Sequence, residues 1–160
     1  MKNLWAPWRI EYILGQKSNK CIFCQSRSRK YNKPKLILYQ GNLSLVMLNR
    51  YPYSNCHLLV APRKHTSTLD DLTQKELLNL FSTLSKSVEL LKKAVQPEGF
   101  NIGMNLGKVA GAGIENHLHF HIVPRWLGDT NFMPVISETV VMPEHLESAF
   151  ERLLLFFKDF

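Results

Sequence analysis

The sequence lacks any apolar segment long enough to cross a membrane. Its longest uninterrupted apolar run covers only 153–157, whereas a transmembrane helix needs about 20 residues. The stretch 1–13 carries Pro7, Arg9 and Glu11 at places where a signal peptide needs an unbroken apolar segment. We therefore expect no membrane contact and a cytoplasmic location.

Cysteine and acidic residues are both scarce. The three cysteines are an odd number, which argues against a disulfide framework and for a reducing compartment. Only 13 Asp and Glu oppose 20 Lys and Arg, so the formal net charge is +7. Such a positive field favours anionic partners, either nucleic acid or phosphorylated small molecules, without choosing between them. At 160 residues, 45% of them hydrophobic, the chain is long enough for a single domain with a real core.

Short β-rich runs dominate the hydrophobic pattern. The runs predicted as strands are 36–40, 43–48, 57–62, 100–106 and 117–124. A tight turn at Gly41 and Asn42 joins the first two of them into a hairpin. No internal repeat or linker divides the chain. Because the runs are broken by one long helical segment, the pattern predicts an α+β fold with a mainly antiparallel sheet of five strands.

Two segments have the periodicity of amphipathic helices. Thr73 and Glu76 form a capping-box pattern, and apolar residues then recur at helical spacing, which predicts a helix over 74–95. Pro143 is suited to open a last helix. The apolar face of that helix consists of Leu146, Phe150, Leu153, Leu154 and Phe157.

Three histidines stand at alternate positions in 117–121. In a strand, His117, His119 and His121 would share one face, and the intervening apolar residues would face the core. One metal ion cannot explain all three, because the first and third Cα atoms would lie about 13 Å apart. Phosphate chemistry is the remaining use: a neutral imidazole can attack phosphorus while a neighbouring ring stabilises the oxygens. That chemistry requires a solvent-reachable ring at His119.

A loop of small residues precedes the histidines. The segment 107–113, GKVAGAG, offers backbone N–H groups with little side-chain obstruction, which suits an anion such as a phosphate.

The motif His117-Leu-His119-Phe-His121-Ile-Val resembles the histidine triad (HIT) family of nucleotide hydrolases and transferases. The resemblance runs from about Cys21 to Trp126 and implies a half-barrel α+β fold and a homodimer. The flanks LWAPWRIEYI and HFHIVPRWLGDTNFMP are similar to the branch of bacterial diadenosine tetraphosphate phosphorylases.

The resemblance implies a role for each matched residue. His119 matches the nucleophile, His121 the residue that hydrogen-bonds the phosphate or bridging oxygen, and His57 a histidine that supports the nucleophile. The positions matched to nucleotide binding are Asn49 at the ribose, Asn105 near the α-phosphate, and Gly111, Gly113 and Ile114 in the loop. At the positions of Gly113 and Ile114, the triphosphate hydrolase branch has Gln followed by Ser or Thr. Glycine and isoleucine at these positions therefore favour the phosphorylase branch.

A CxxC motif predicts a second site. Family members that carry it hold zinc with two further histidines, so the resemblance implies a set of Cys21, Cys24, His65 and His117. Two thiolates and two imidazoles form a closed tetrahedral set, which is a structural rather than a catalytic zinc site. Cys56 is left over and is predicted to be a small core residue.

We therefore expect an enzyme that cleaves diadenosine polyphosphates through a nucleotidyl-histidine, with phosphorolysis favoured. A nucleoside phosphoramidase or adenylyl hydrolase of the same family is the alternative. The expected layout is an arm and basic zinc loop (1–35), a catalytic core (36–126) and a C-terminal extension with a helix (127–160).

Two alternative hypotheses give the N-terminal region a function other than catalysis. Basic residues around the CxxC motif would suit a zinc-stabilised nucleic-acid-binding module; they are Lys17, Lys20, Arg27, Arg29, Lys30, Lys33 and Lys35. Against it, His65 and His117 are 52 residues apart, whereas a C2H2 finger separates its histidines by about 3–5 residues. Trp5, Trp8 and Tyr12 would alternatively form an interaction surface.

Overall fold

The computed structural model describes residues 21–24, 31–130 and 141–160, which form five strands and two α-helices. The strands are β1 (Ile37–Gln40), β2 (Ser44–Leu48), β3 (Leu58–Pro62), β4 (Gly99–Met104) and β5 (Phe120–Arg125). The helices are α1 (Gln74–Val95) and α2 (Leu146–Phe157). Single 3-10 turns occur at Lys33–Lys35 and Lys108–Ala110.

The strands form one open sheet in the order β1-β2-β3-β5-β4, and every neighbouring pair is antiparallel. This confirms the predicted α+β fold with a five-stranded antiparallel sheet. β5 lies between β3 and β4, with His121 opposite both Leu59 and Gly103. The sheet therefore places the last histidine of the triad on an interior strand, next to the edge strand β4.

Each face of the sheet carries its own apolar cluster. Both helices pack on the first face, where Phe150 and Leu153 of α2 and Leu80 of α1 are completely buried. Burial of one such side chain stabilises the fold by roughly 1.5–3 kcal/mol. The second face carries a smaller cluster, in which Phe23 packs on side chains of the first three strands. The members of this second-face cluster are Phe23, Ile37, Leu45, Met47, Leu59 and Ala61.

Local sequence signals set the bounds of α1. The Thr73 side chain accepts from the Glu76 backbone N–H, and Glu76 accepts in return from the Thr73 backbone N–H at 2.9 Å. At the other end, Gln96 adopts the left-handed conformation and its N–H donates to the Lys92 carbonyl. The predicted helix over 74–95 is confirmed at both ends.

The prediction that Pro143 opens the last helix is wrong. α2 begins at Leu146, with His145 as its N-cap residue in an extended conformation. Glu144, two residues before the helix, accepts hydrogen bonds from Asn55 and Arg152. These bonds fix the segment before the helix, so that the helical turn starts only beyond it.

The predicted strand 117–124 begins three residues too early. Pairing of β5 with both of its neighbours stops at Phe120, opposite Val60 and Met104. The chain before it is held instead by the Leu118 N–H, which donates to the Thr66 carbonyl at 2.6 Å. The other predicted strands are correct to within two residues, and the hairpin turn includes Leu43 as well as Gly41 and Asn42.

Several sequence predictions lie outside the described residues. These are the aromatic arm with Trp5, Trp8 and Tyr12, and the basic residues Lys17, Lys20, Arg27, Arg29 and Lys30. Among the residues that are described, neither helix combines the length and apolar character that crossing a bilayer requires.

Candidate active site

The three histidines lie at the start of β5, on the sheet face opposite the helices. Leu118, Phe120 and Ile122 belong to the helix-side core, so the predicted alternation of the two sets holds even where the chain is not yet in a strand. The histidine face is more covered than expected. His119 is only 5% exposed, and the Phe23 ring packs 5.1 Å from its own. Access to this ring is therefore narrow.

A backbone contact fixes the protonation of the His119 ring. Its Nδ1 lies 2.8 Å from the His117 carbonyl oxygen, which can only accept a hydrogen bond. Nδ1 therefore carries the proton, and Nε2 keeps a free lone pair. A neutral imidazole in this tautomer presents a nucleophilic nitrogen on the side away from its own backbone.

His57 and His121 are hydrogen-bonded to each other, and both carry their proton on Nε2, whereas His119 carries its proton on Nδ1. The Tyr53 backbone N–H donates to His57 Nδ1 at 3.1 Å, and the Asn49 side-chain amide lies 3.2 Å from the same nitrogen. Since Nδ1 accepts, His57 Nε2 carries the proton and donates to His121 Nδ1 at 2.9 Å. His121 consequently bears its own proton on Nε2. Two neighbouring rings, 5.0 Å apart, thus present an acceptor at His119 and a donor at His121.

Burial keeps these rings neutral. Desolvation, followed by the nearby rings of His121 and His119, lowers the pKa of His57 to about 3. Desolvation and His119 lower the pKa of His121 to about 4, and desolvation also lowers the pKa of His119. The tautomers assigned above therefore persist at neutral pH.

His57 makes the stability of the protein sensitive to acid. Because its folded-state pKa of about 3 lies below the ordinary value of 6.5, the unfolded chain takes up the proton first as the pH falls. We expect this histidine alone to make the free energy of unfolding about 2 kcal/mol lower at pH 5 than at pH 8. Urea unfolding measures this difference in the free energy of unfolding between the two pH values. In His57→Gln it should be smaller than in the unaltered protein by that amount. His145→Gln, at an exposed position, should match the unaltered protein, and equal differences in all three would refute the assignment.

The predicted nucleotide-binding residues flank the triad on two sides. Asn49 follows β2, and its side-chain oxygen accepts from the Tyr51 N–H at 3.0 Å, so its amide group points to His57. Asn105 follows β4 directly, next to the last pair, Met104 and Phe120. Asn105 and His119 are therefore the chain neighbours of the two residues of this last pair.

The small-residue loop is anchored by Asn105. Its side-chain amide donates to the Gly111 carbonyl at 3.3 Å, and the φ of +86° at Gly111 is a conformation that favours glycine. Gly113 is exposed, while Ile114 packs against the second-face cluster and its carbonyl accepts from the His117 N–H. The loop therefore leads from β4 directly into the triad.

Two residues beside the triad were not found by sequence reasoning. The Tyr53 ring stacks on His121 at 5.8 Å and lies 4.8 Å from His57. Phe23 lies between the two cysteines of the CxxC motif and packs 4.9 Å from the His117 ring. Both are single aromatic residues without a periodic pattern, so the sequence carries no signal for their position.

The four predicted metal ligands converge at the edge of the triad. One donor atom from each of Cys21, Cys24, His65 and His117 lies within 4.8 Å of all the others. His117 Nδ1 lies 3.2 Å from Cys21 Sγ, 3.5 Å from Cys24 Sγ and 3.2 Å from His65 Nδ1. The structure thus brings together residues that come from three separate segments of the chain.

The donor set fits a tetrahedral metal ion. His117 Nε2 lies 2.9 Å from the Pro62 carbonyl and must donate to it, so Nδ1 offers a lone pair to the cluster. Zinc bond lengths place tetrahedral nitrogen ligands roughly 3.3 Å apart, and nitrogen and sulfur ligands roughly 3.6 Å apart. These spacings are close to those observed. Two thiols and two imidazoles fill all four positions, which suits a structural ion without an open coordination site.

Cys56, the third cysteine, lies apart from the metal cluster. It is buried in the helix-side core, as predicted, and burial raises its pKa to about 11. Its φ of +58° is unusual for a residue with a side chain. It therefore acts as a core residue in the turn that leads to His57.

Comparisons with known proteins agree with the fold and indicate a family. Residues 30–126 match the HIT domain in a scan of protein families. The chain is 34% identical to the AP-4-A phosphorylase of Mycobacterium tuberculosis over 162 residues, which cover 96% of this chain and 83% of that protein. It is 32% identical over 105 residues to an adenosine 5'-monophosphoramidase of Schizosaccharomyces pombe, covering 66% and 74% of the two chains.

Solved structures show the same fold. That of a hypothetical histidine triad nucleotide-binding protein from Sulfolobus tokodaii has a TM-score of 0.62 and 27% identity. The match covers 78% of this chain and 81% of the other.

Proposed function

The chain belongs to the HIT domain family, and on that premise we propose that it cleaves dinucleoside polyphosphates through a nucleotidyl-histidine. The single observation that carries the proposal is the opposite polarity of two adjacent rings: a lone pair at His119 Nε2 and a proton at His121 Nε2. One ring attacks phosphorus while the other donates to the oxygens around it. The similarity to the AP-4-A phosphorylase supports diadenosine tetraphosphate as substrate.

In the first step, His119 Nε2 attacks the α-phosphorus in line with the bond to the bridging oxygen. The new N–P bond forms as that P–O bond breaks, and ATP leaves. His121 Nε2–H donates a hydrogen bond to the bridging oxygen as negative charge develops on it. A polyphosphate is a stable anion at neutral pH, so the leaving group needs this hydrogen bond and no net proton.

In the second step, an acceptor oxygen attacks the same phosphorus and His119 leaves as the neutral ring. Inorganic phosphate attacks through an anionic oxygen and gives ADP, whereas water gives AMP and loses a proton to the solvent. We favour phosphate, because Gly113 and Ile114 replace the Gln-containing pair of the hydrolase branch and because a relative that is 34% identical over 96% of the chain is named a phosphorylase.

Product analysis with diadenosine tetraphosphate tests this reaction. We expect ADP and ATP in equal amounts, formed only when inorganic phosphate is present, and no AMP. AMP and ATP without phosphate would instead establish a hydrolase. Salt-dependent binding to duplex DNA without any turnover would support the nucleic-acid-binding module and contradict both.

A nucleoside phosphoramidase is the second candidate, supported by the similarity to the monophosphoramidase. The same His119 lone pair would attack the phosphorus of adenosine 5'-phosphoramidate protonated on its nitrogen, so that the N–P bond to His119 forms as the P–N bond to the amine breaks and ammonia leaves. The two candidates differ in what must be accommodated beyond the α-phosphate: a second nucleotide in one case and an amine in the other.

We also propose that the four-residue cluster holds a structural zinc ion. Cys21, Cys24, His65 and His117 would supply all four ligands, and zinc would join the segment around Phe23 to the chain that carries His119. For the assembly we propose a homodimer, because β4 is an edge strand whose Ile102 side chain is 45% exposed.

A further inference from the structure

A cavity of about 530 Å³ lies on the histidine face of the sheet, beyond His121. Its volume is in the range of small-molecule sites. The residues that line it and carry the argument are Tyr53, Asn55, Asn101, Arg125, Trp126 and Asp129. We refer to it as the Tyr53–Trp126 cavity.

The cavity continues the line of the triad along β5. Val123 and Arg125 follow His121 at alternate positions and therefore share its face, about 7 and 13 Å further along the strand. Tyr53 belongs to both places, since it lines the cavity and stacks on the His121 ring. His119, His121 and the cavity thus follow one another in a row.

This order matches the direction in which a leaving group departs. In-line attack by His119 sends the bridging oxygen to the far side of the phosphorus, where His121 donates to it. Any further part of the leaving group extends past His121, toward Tyr53. The second-face cluster, with Phe23, lies on the other side of His119 and is separate from the cavity.

The charge of the lining favours an uncharged occupant. Among the described residues that line the cavity, Arg125 is the one cation, and it makes two hydrogen bonds to Asp129, from Nη2 at 2.9 Å and from Nε at 2.5 Å. The pair is neutral overall and Asp129 occupies the guanidinium edge. A terminal phosphate would find no available cation in the described part of the lining, whereas a base and a ribose need none.

The polar and aromatic groups match a nucleobase. Asn101 accepts from Arg125 through its side-chain oxygen, which leaves its amide group to donate into the cavity. Asn55 donates to Glu144, which leaves its oxygen to accept. The indole N–H of Trp126 is used on the Val95 carbonyl, so this residue offers only its ring. Rings that stack and amides that both donate and accept are the groups with which proteins hold bases.

We propose that the Tyr53–Trp126 cavity binds the second nucleoside of a dinucleoside polyphosphate, the one that departs with the leaving group. This inference rests on the proposed function and deepens it. It makes the cavity a specificity site, which favours dinucleoside polyphosphates over substrates that end soon after the α-phosphate.

Kinetics with two substrates test the cavity. Trp126→Leu removes the ring and Asn101→Leu removes the amide, while Leu155→Ala, at an exposed position of α2 outside the cavity, serves as the control. We expect kcat/KM for diadenosine tetraphosphate to fall about tenfold in each cavity variant. Turnover of adenosine 5'-phosphoramidate, which has no second nucleoside, should change less than twofold. Equal effects on both substrates, or none on either, would overturn the inference.

A binding measurement keeps the cavity separate from the chemistry. In a His119→Asn background, calorimetry compares the affinities for diadenosine tetraphosphate and for AMP, with no turnover required. Trp126→Leu should weaken only the first, and an unchanged ratio of the two affinities would overturn the inference. If the unaltered protein turns over neither substrate but shows this ratio change, the proposed reaction fails and the cavity assignment stands.

Discussion

Replacing His119 with asparagine should lower turnover of diadenosine tetraphosphate by about 10⁴-fold or more and leave nucleotide affinity within a few-fold. The reason is that asparagine can keep the contact of Nδ1, since its amide group can donate to the His117 carbonyl as the ring does at 2.8 Å. It has no atom in place of Nε2, so the bond to phosphorus cannot form. Loss of a nucleophile typically removes most of an enzyme's rate enhancement.

Two measurements separate this result from a folding defect. His145→Asn is the matched control, because His145 is exposed and its side chain makes no capping bond, so asparagine should be tolerated at that position. The unaltered protein, quenched in alkali during turnover, should carry a nucleotide on His119 by mass spectrometry. An adduct on another residue, or full activity in His119→Asn, would contradict the assignment of the nucleophile.

The fold was predictable because its signals are local. The capping box of Thr73 and Glu76 and the regular apolar spacing after them specify α1 to the residue. The alternation around His119 correctly assigned each side chain to a face, since it depends only on extended backbone. The start of β5 was not predictable, because it depends on where β3 and β4 stop pairing with it.

The site was predictable only as far as its motifs reach. The spacing of the triad and of the CxxC motif marked residues that the structure does bring together, and the resemblance supplied His57 and His65. The position of Tyr53 on His121 and the tautomers of the rings follow from three-dimensional contacts, which no single stretch of sequence records. The same is true of the burial of His119, because Phe23 lies nearly a hundred residues away along the chain.

Removal of the proposed zinc ion should be the largest single loss of stability. Structural zinc ions in small domains contribute roughly 10–16 kcal/mol to folding. The core of this chain is larger than that of such small domains and compensates for part of the lost stability. We therefore expect chelation to lower the free energy of unfolding by at least about 3 kcal/mol, which lowers Tm by roughly 6–12 °C. Elemental analysis should find one zinc ion per chain. A metal-free protein that melts at the same temperature with and without chelator would refute the site.

The matched variants are Cys24→Ser and Cys56→Ser, which make the same change inside and outside the cluster. Only Cys24→Ser should lower the zinc content and the Tm measured with zinc present, because Cys56 lies in the helix-side core.

Loss of the zinc ion should also affect the His119 ring. Phe23 is held between Cys21 and Cys24 and packs against His119, so a freed CxxC segment removes one of the neighbours that cover this ring. We therefore expect Cys24→Ser to expose His119 to solvent, seen as faster modification by diethyl pyrocarbonate, while Cys56→Ser leaves that rate unchanged. Equal rates in both variants would show that the metal cluster and the nucleophile are not coupled.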